Sequence, residues 1–174
     1  MTNAYVYQAD LYCEDCATEI RESLRSKDVA DTQDSNDYPQ GPYPDGGGES
    51  DAPAHCGQCG AFLENPLTDE GKAYVNDAFI DYMTDCAGNA DTLNEWADFY
   101  GVRLFCAGAG LHGYLYQDGP NFFTDEESAV QYLVEAYELT EDQEADLRET
   151  GYVALDPDVH GNEYAEIQEK SDPL

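Results

Sequence analysis

Two short pairs, Cys13-Glu14-Asp15-Cys16 and Cys56-Gly57-Gln58-Cys59, carry the residue types and spacing with the clearest chemistry in the chain. A Cys-x-x-Cys turn brings two sulfurs to one side of a bend, and two such turns supply the four thiolates of a closed tetrahedral Zn²⁺ site. In Cys56-Gly57-Gln58-Cys59-Gly60 the glycines admit the positive φ of a metal knuckle, which turns backbone N–H groups toward the sulfurs. The spacing therefore predicts one Zn²⁺ held by Cys13, Cys16, Cys56 and Cys59. Two other uses of paired cysteines stay open at this level, disulfides and a thioredoxin-like redox pair. The opening Met1-Thr2-Asn3-Ala4-Tyr5 has neither the basic nor the apolar stretch of a secretory signal, so the expectation is a cytoplasmic protein with reduced thiols. His55, beside the second knuckle, is a candidate replacement for one sulfur or a solvated loop histidine. Four thiolates leave no open position for water, which favours a structural over a catalytic zinc.

Positioning these cysteines requires a mount. Residues 4–12 alternate as a strand, with Tyr5, Tyr7, Ala9 and Leu11 on one face, and residues 17–25 place Ala17, Ile20 and Leu24 at helical spacing. Strand, knuckle and helix then follow in order. Residues 28–54 lose periodicity and read as a long loop between the knuckles, with 28–37 mobile and the aromatic-proline stretch from Tyr38 to Pro44 ordered.

Beyond Pro66 the pattern becomes helical. Thr68 caps a helix to about Cys86, with Tyr74, Val75, Ala78, Phe79, Tyr82, Met83 and Cys86 as its apolar stripe and Gly88 as its stop. A second helix spans 92–100 with Leu93, Trp96, Ala97 and Tyr100 inward, ended by Gly101. Val102-Arg103-Leu104-Phe105-Cys106 and Leu111-His112-Gly113-Tyr114-Leu115-Tyr116 read as two hairpin strands joined by Ala107-Gly108-Ala109-Gly110. Thr124-Asp125-Glu126-Glu127 is a capping box for a helix through Leu139, with Ala129, Tyr132, Leu133, Ala136 and Tyr137 inward. Thr140-Glu141-Asp142-Gln143 is another, for a helix ending at Gly151, and residues 152–155 and 163–167 return as short strands. The class is α+β: a small antiparallel sheet with packed helices and an N-terminal zinc-knuckle lobe. The expected division is 1–67 for the lobe and 68–174 for an acidic α+β domain.

The 174 residues carry 38 acidic and 7 basic side chains, a formal net charge of −31, to which four thiolates on one Zn²⁺ would add about two more negative units. No Lys or Arg lies between Lys27 and Lys72, or between Arg103 and Arg148. Without a cationic stripe the chain cannot release counterions from nucleic acid, so direct DNA or RNA binding is not expected, nor is binding to anionic membranes. No apolar run approaches the length of a membrane span, which predicts a soluble protein. Catalytic signatures are missing: no Gly-x-Ser-x-Gly, His-Glu-x-x-His or Walker loop occurs, and the pairing of Cys106 with His112 as nucleophile and base is outweighed by a buried strand cysteine. The expectation is a non-enzymatic protein.

The stretches from Tyr5 to Cys16, from Tyr38 to Glu49, His55-Cys56 and from Phe62 to Thr68 resemble a group of uncharacterised acidic phage and mobile-element proteins with a paired-knuckle N-terminal region. The resemblance covers roughly residues 4–70; it implies a zinc site and a phage context and brings no activity. Function must then be argued from charge. One reading is a nucleic-acid mimic that occupies the basic channel of a host defence or DNA-processing protein, using the outward acids Asp125, Glu126, Glu127, Glu135, Glu138, Glu141, Asp142, Glu144 and Asp146. The other is a zinc-stapled structural or adaptor protein of a salt-adapted organism or its virus, in which the charge serves solubility.

Overall fold

The computed structural model describes residues 2–86, 88–111, 114–115 and 120–170. The chain is α+β and divides into two compact units, Met1–Asp77 and Ala78–Leu174. Among the described residues no helix is long and apolar enough to cross a membrane.

In the first unit, residues 4–12 form a hairpin in place of one long strand. β1 (Ala4–Tyr7) pairs antiparallel with β2 (Asp10–Tyr12) through a two-residue turn, with Tyr7 opposite Asp10. Gln8 and Ala9 both take left-handed φ, 51° and 63°, the geometry of a type I′ turn. The usual Asn-Gly or Asp-Gly signature of that turn is missing, so alternation alone reads straight through it. A helix, α1 (Glu14–Ser26), begins at Cys13 and thus already contains the first knuckle, with Glu14 and Asp15 favourably placed in its first turn. β3 (Gln40–Tyr43) arises inside the expected long loop and pairs with β1, giving the sheet order β2-β1-β3. The preceding stretch is tied in by Gln8 N–H donating to the Ser35 carbonyl at 2.8 Å and by the Gln40 amide donating to the Thr32 carbonyl at 2.8 Å.

Arg21 of α1 lies over the rings of Tyr5 and Tyr38, 4.7 and 5.8 Å from their centroids, and donates to the Pro39 carbonyl at 2.8 Å. This pins the strand-bearing segment to the helix. Asn65, fully buried, pins the other end: its Oδ1 accepts from Ala54 N–H at 2.6 Å, and its Nδ2 donates to Ser50 Oγ and to the Ala52 and Pro66 carbonyls. Gly46, at φ 61°, sits so close to the Leu63 carbonyl that a Cβ there would collide with it.

α2 (Asp69–Asp85) starts at Thr68, whose hydroxyl accepts the Gly71 N–H at 3.1 Å. Val75 and Phe79 are buried as expected, but Tyr74 and Cys86 are exposed. The helix ends one residue before Cys86, which itself adopts the left-handed conformation at φ 55°, so the stop precedes Gly88 and turns Cys86 out of the apolar stripe.

In the second unit, α3 (Ala90–Tyr100) is capped by Asn89 and ended by left-handed Gly101, with Leu93, Trp96 and Ala97 buried. The small-residue stretch Ala107-Gly108-Ala109-Gly110 is not a hairpin joint. It is the middle of β4 (Phe105–Leu111), which pairs along its length with β8 (Tyr164–Glu169). On its other edge β4 pairs with β6 (Asn121–Phe123) and β5 (Tyr114–Leu115). β7 (Tyr152–Ala154) pairs with β8 and completes the path β5-β4-β8-β7. Residues 104–110 are all buried, and the face that carries Phe105, Ala107 and Ala109 packs against helix residues.

α4 (Glu126–Tyr137) and α5 (Glu141–Thr150) pack Ala129, Val130, Leu133 and Leu147 on the face carrying Phe105, Ala107, Ala109, Val153 and Ala165. Ala136 is exposed instead, and the N-cap of α4 is Asp125, whose carboxylate accepts the Ser128 N–H at 2.8 Å, one residue beyond Thr124. Thr140 and Gln143 form the reciprocal capping box of α5. A short α6 (Pro157–His160) lies between β7 and β8. The edge of β7 is blunted: Tyr152 exchanges backbone bonds with the Thr150 hydroxyl, and the Ala154 carbonyl accepts from the Gln143 amide.

Candidate metal centre

Each knuckle is built by local sequence. Cys13 is the N-cap of α1 and Cys16 lies one turn in, so both sulfurs project from one face of the helix start. The second knuckle closes a small antiparallel turn. Cys56 N–H donates to the Ala61 carbonyl and Gly60 N–H to the Cys56 carbonyl, both at 2.8 Å, while His55 bridges to Phe62. Gly60 takes φ 75°, which the turn requires.

The β1–β2 hairpin joins the two halves. β2 leads directly into Cys13, and its Leu11 carbonyl accepts the Gly57 N–H at 2.8 Å. The Asp10 carboxylate occupies the space where a side chain at Gly57 would stand. Gln58 donates to the Glu19 carboxylate of α1 at 2.9 Å, a second tie between knuckle and helix.

The four sulfurs of Cys13, Cys16, Cys56 and Cys59 all lie within 4.8 Å of one another. Zinc–sulfur bonds of about 2.3 Å at tetrahedral angles place sulfurs about 3.8 Å apart, and Cys13 and Cys59 are 3.8 Å apart. All four are free thiols. A Cys-x-x-Cys at a helix start is also the setting of a redox pair, but here a second pair from 40 residues later in the chain converges on the first. His55 is not in the cluster; its ring packs on Phe62, 5.5 Å between centroids.

The electrostatics suit a cation. Burial raises the Cys56 thiol, but the backbone N–H groups of Cys59, Cys13 and Gln58 outweigh it and bring it down to about 6. Cys16 is pushed up first by burial and then by the neighbouring sulfurs; Cys13 is pushed up mainly by burial, with Cys16 opposing the rise and Cys59 and Cys56 adding to it. Four sulfurs this close cannot all ionise beside one another; a divalent ion at their centre removes that conflict. Cys16 and Cys56 are buried, Cys13 is half-buried and Cys59 is exposed, so the cluster lies at the rim of the unit.

The nine acids singled out on the C-terminal helices are placed more diversely. Asp125, Glu126, Glu127, Glu135, Glu138, Glu141, Asp142 and Asp146 are exposed and Glu144 is half-buried. Several have local duties. Asp125 caps α4, and Glu126, Glu127, Glu141, Asp142 and Glu144 occupy first turns, where the helix dipole favours negative charge. Glu127 and Glu144 grip Arg148 at 2.5 and 2.8 Å, which holds the Glu127 carboxyl below its ordinary range. Of the possible nucleophile and base, Cys106 is a buried strand residue, and His112 lies outside the described residues.

Sequence reasoning missed the supporting residues Asp10, Glu19 and Gln58. No local signal marks them, because their roles come from pairing between segments distant in sequence. Comparison of the chain with protein-family models, with curated proteins and with solved structures returned no match.

Proposed function

We propose that Cys13, Cys16, Cys56 and Cys59 hold one structural Zn²⁺, and that the chain is a non-enzymatic binding protein whose carboxylate surface takes a basic nucleic-acid-binding partner. The observation that carries the metal assignment is the convergence of four sulfurs within 4.8 Å. Zinc suits an all-thiolate tetrahedral set, and a set complete in protein ligands leaves no position for a substrate.

The partner reading rests on charge and its distribution. The cations are largely engaged within the protein: Arg21 between two tyrosines, Lys72 with Asp69, Arg103 with Glu169 and Arg148 with Glu127 and Glu144. Carboxylates on helices α4 and α5 then face solvent without counter-ions enough to cancel them. Such a surface offers the Lys and Arg of a nucleic-acid channel what phosphates offer, with fast and salt-sensitive association. On this reading the protein is an inhibitor of a host defence or DNA-processing protein, encoded by a phage or mobile element.

One observation favours the salt-adapted reading. The negative charge is shared by both units: 16 acidic and 4 basic side chains in residues 1–77, and 22 and 3 in residues 78–174. Elemental analysis tests the metal, with one zinc per chain expected and none after Cys59→Ser. For the partner, capture from host lysate at low salt should enrich nucleic-acid enzymes that duplex DNA displaces; an eluate indifferent to DNA removes the mimicry. Unfolding of the zinc-loaded protein at low salt, reversed by molar KCl, would instead support salt adaptation.

A further inference from the structure

The outer face of the β7–β8 ribbon carries an aromatic pair that neither the metal centre nor the helix acids explain. Tyr152 and Tyr164 stack with ring centroids 5.5 Å apart and planes 23° from parallel, and Tyr152 is 46% exposed. In the strand register Tyr152 stands directly opposite Glu166, and Ala154 opposite Tyr164, so both rings and this carboxylate share one face, away from buried Val153 and Ala165. The Glu166 carboxylate is oriented by the Gln168 amide, which donates to it at 2.7 Å. Glu166 and Glu163 lie close enough to Tyr164 to act on its phenol, which is raised first by burial and then by Glu166.

A cross-strand aromatic pair by itself stabilises a hairpin. An exposed one beside an oriented carboxylate has a second capacity. A guanidinium is planar, weakly hydrated and rich in donors, so it stacks on an aromatic face while its N–H groups reach a carboxylate; an ammonium does the first poorly. The backbone edge of β7 is already occupied by Thr150 and Gln143, which directs any partner to the side-chain face and away from strand addition.

We propose that Tyr152, Tyr164 and Glu166 form a recognition site for an arginine side chain of a basic protein partner. The site rests on the proposed reading of the chain as a binder of basic proteins and deepens it by naming the residue type recognised. It also adds something that diffuse charge cannot provide, a preference for arginine over lysine.

The test uses the full zinc-loaded chain, an oligo-arginine peptide and a length-matched oligo-lysine peptide, with affinities read by titration calorimetry. The wild type should bind the arginine peptide about threefold to tenfold more tightly than the lysine peptide. Tyr152→Ile, which supplies a β-branched strand former, should remove that preference with little change in lysine binding, and Tyr152→Phe should retain it. Glu166→Gln, matched in shape, should weaken the arginine peptide more than the lysine peptide. Equal, salt-sensitive binding of both peptides by the wild type, or an arginine preference that survives Tyr152→Ile, overturns the arginine site and leaves the acidic-surface reading standing. Binding of neither peptide overturns both.

Discussion

Around the three-stranded sheet of Met1–Asp77 the buried cluster is Ala4, Cys16, Cys56 and Leu63, and two of its four members are sulfur donors. In Ala78–Leu174 the corresponding cluster is wholly apolar, with Phe105, Val130, Leu133, Leu147 and Val153 among its members and Phe123, Tyr132 and Ile167 packed against it. Each fully buried Leu, Val or Phe stabilises by about 1.5–3 kcal/mol, so the second unit can be held by burial alone. The first also buries Tyr5, Tyr38, Phe62, Leu63 and Leu67, but it sets polar and sulfur groups among them. Its two knuckles bring four sulfurs together, and the Arg21 clamp and the Asn65 hub tie its segments; with the proposed zinc bound, the knuckles would also be cross-linked. Within one acidic chain, order thus draws on two different sources, which should fail under different insults.

On the proposed zinc reading, the largest expected effect follows from removing the metal. Chelation or Cys59→Ser should unfold the knuckle region, because binding free energy there is folding free energy, on the order of 10 kcal/mol for structural zinc. Hydrogen exchange checks this: amides of Cys56, Gly57, Gly60 and Leu63 should lose protection while those of β4 and β8 keep it. Collapse of both sets together would show that the units are not independently stabilised.

The converse change is Leu133→Ala. It opens a cavity in the apolar cluster and should cost about 2–5 kcal/mol, read in denaturant titration, with zinc stoichiometry unchanged. Asn65→Ala comes next. It leaves the Ala54 N–H without its acceptor, while the carbonyls of Ala52 and Pro66 keep bonds from Ser50, at about 1–3 kcal/mol for an unsatisfied group. The zinc-loaded protein should melt earlier in its first unit only; an unchanged melting profile would mean that the metal alone holds that loop.

The smallest effect concerns Arg148. Its ion pairs depress the folded-state pKa of Glu127 below the ordinary 4.5, so their contribution is present above that pH and is lost as pH falls through the depressed value. Arg148→Met should therefore move acid unfolding of the second unit slightly upward in pH, with no change near neutrality beyond that expected of an exposed pair. A shift of the first unit instead would contradict the assignment.

Two Cys-x-x-Cys turns were enough to single out the four cysteines that converge, because each turn constrains its pair of sulfurs locally. The sequence by itself also determined the helices, whose caps and periodicity are short-range: Thr68, the Thr140–Gln143 box and Gly101 act within one turn of their own position. The remaining features needed contacts between distant segments. Whether Gln8-Ala9 turns or continues a strand depends on β3 and on the Ser35 carbonyl, which come from distant sequence. Ala107-Gly108-Ala109-Gly110 has the composition of a turn and becomes a central strand only because β8 hydrogen-bonds along it and α4 covers it. Likewise nothing local marks Asp10 and Gln58 as supports of the knuckle, or joins Tyr152 to Tyr164; register between β7 and β8 does that. Short-range geometry is written in neighbouring residues, whereas pairing partners, and the surfaces they create, exist only once chain segments far apart in sequence have met.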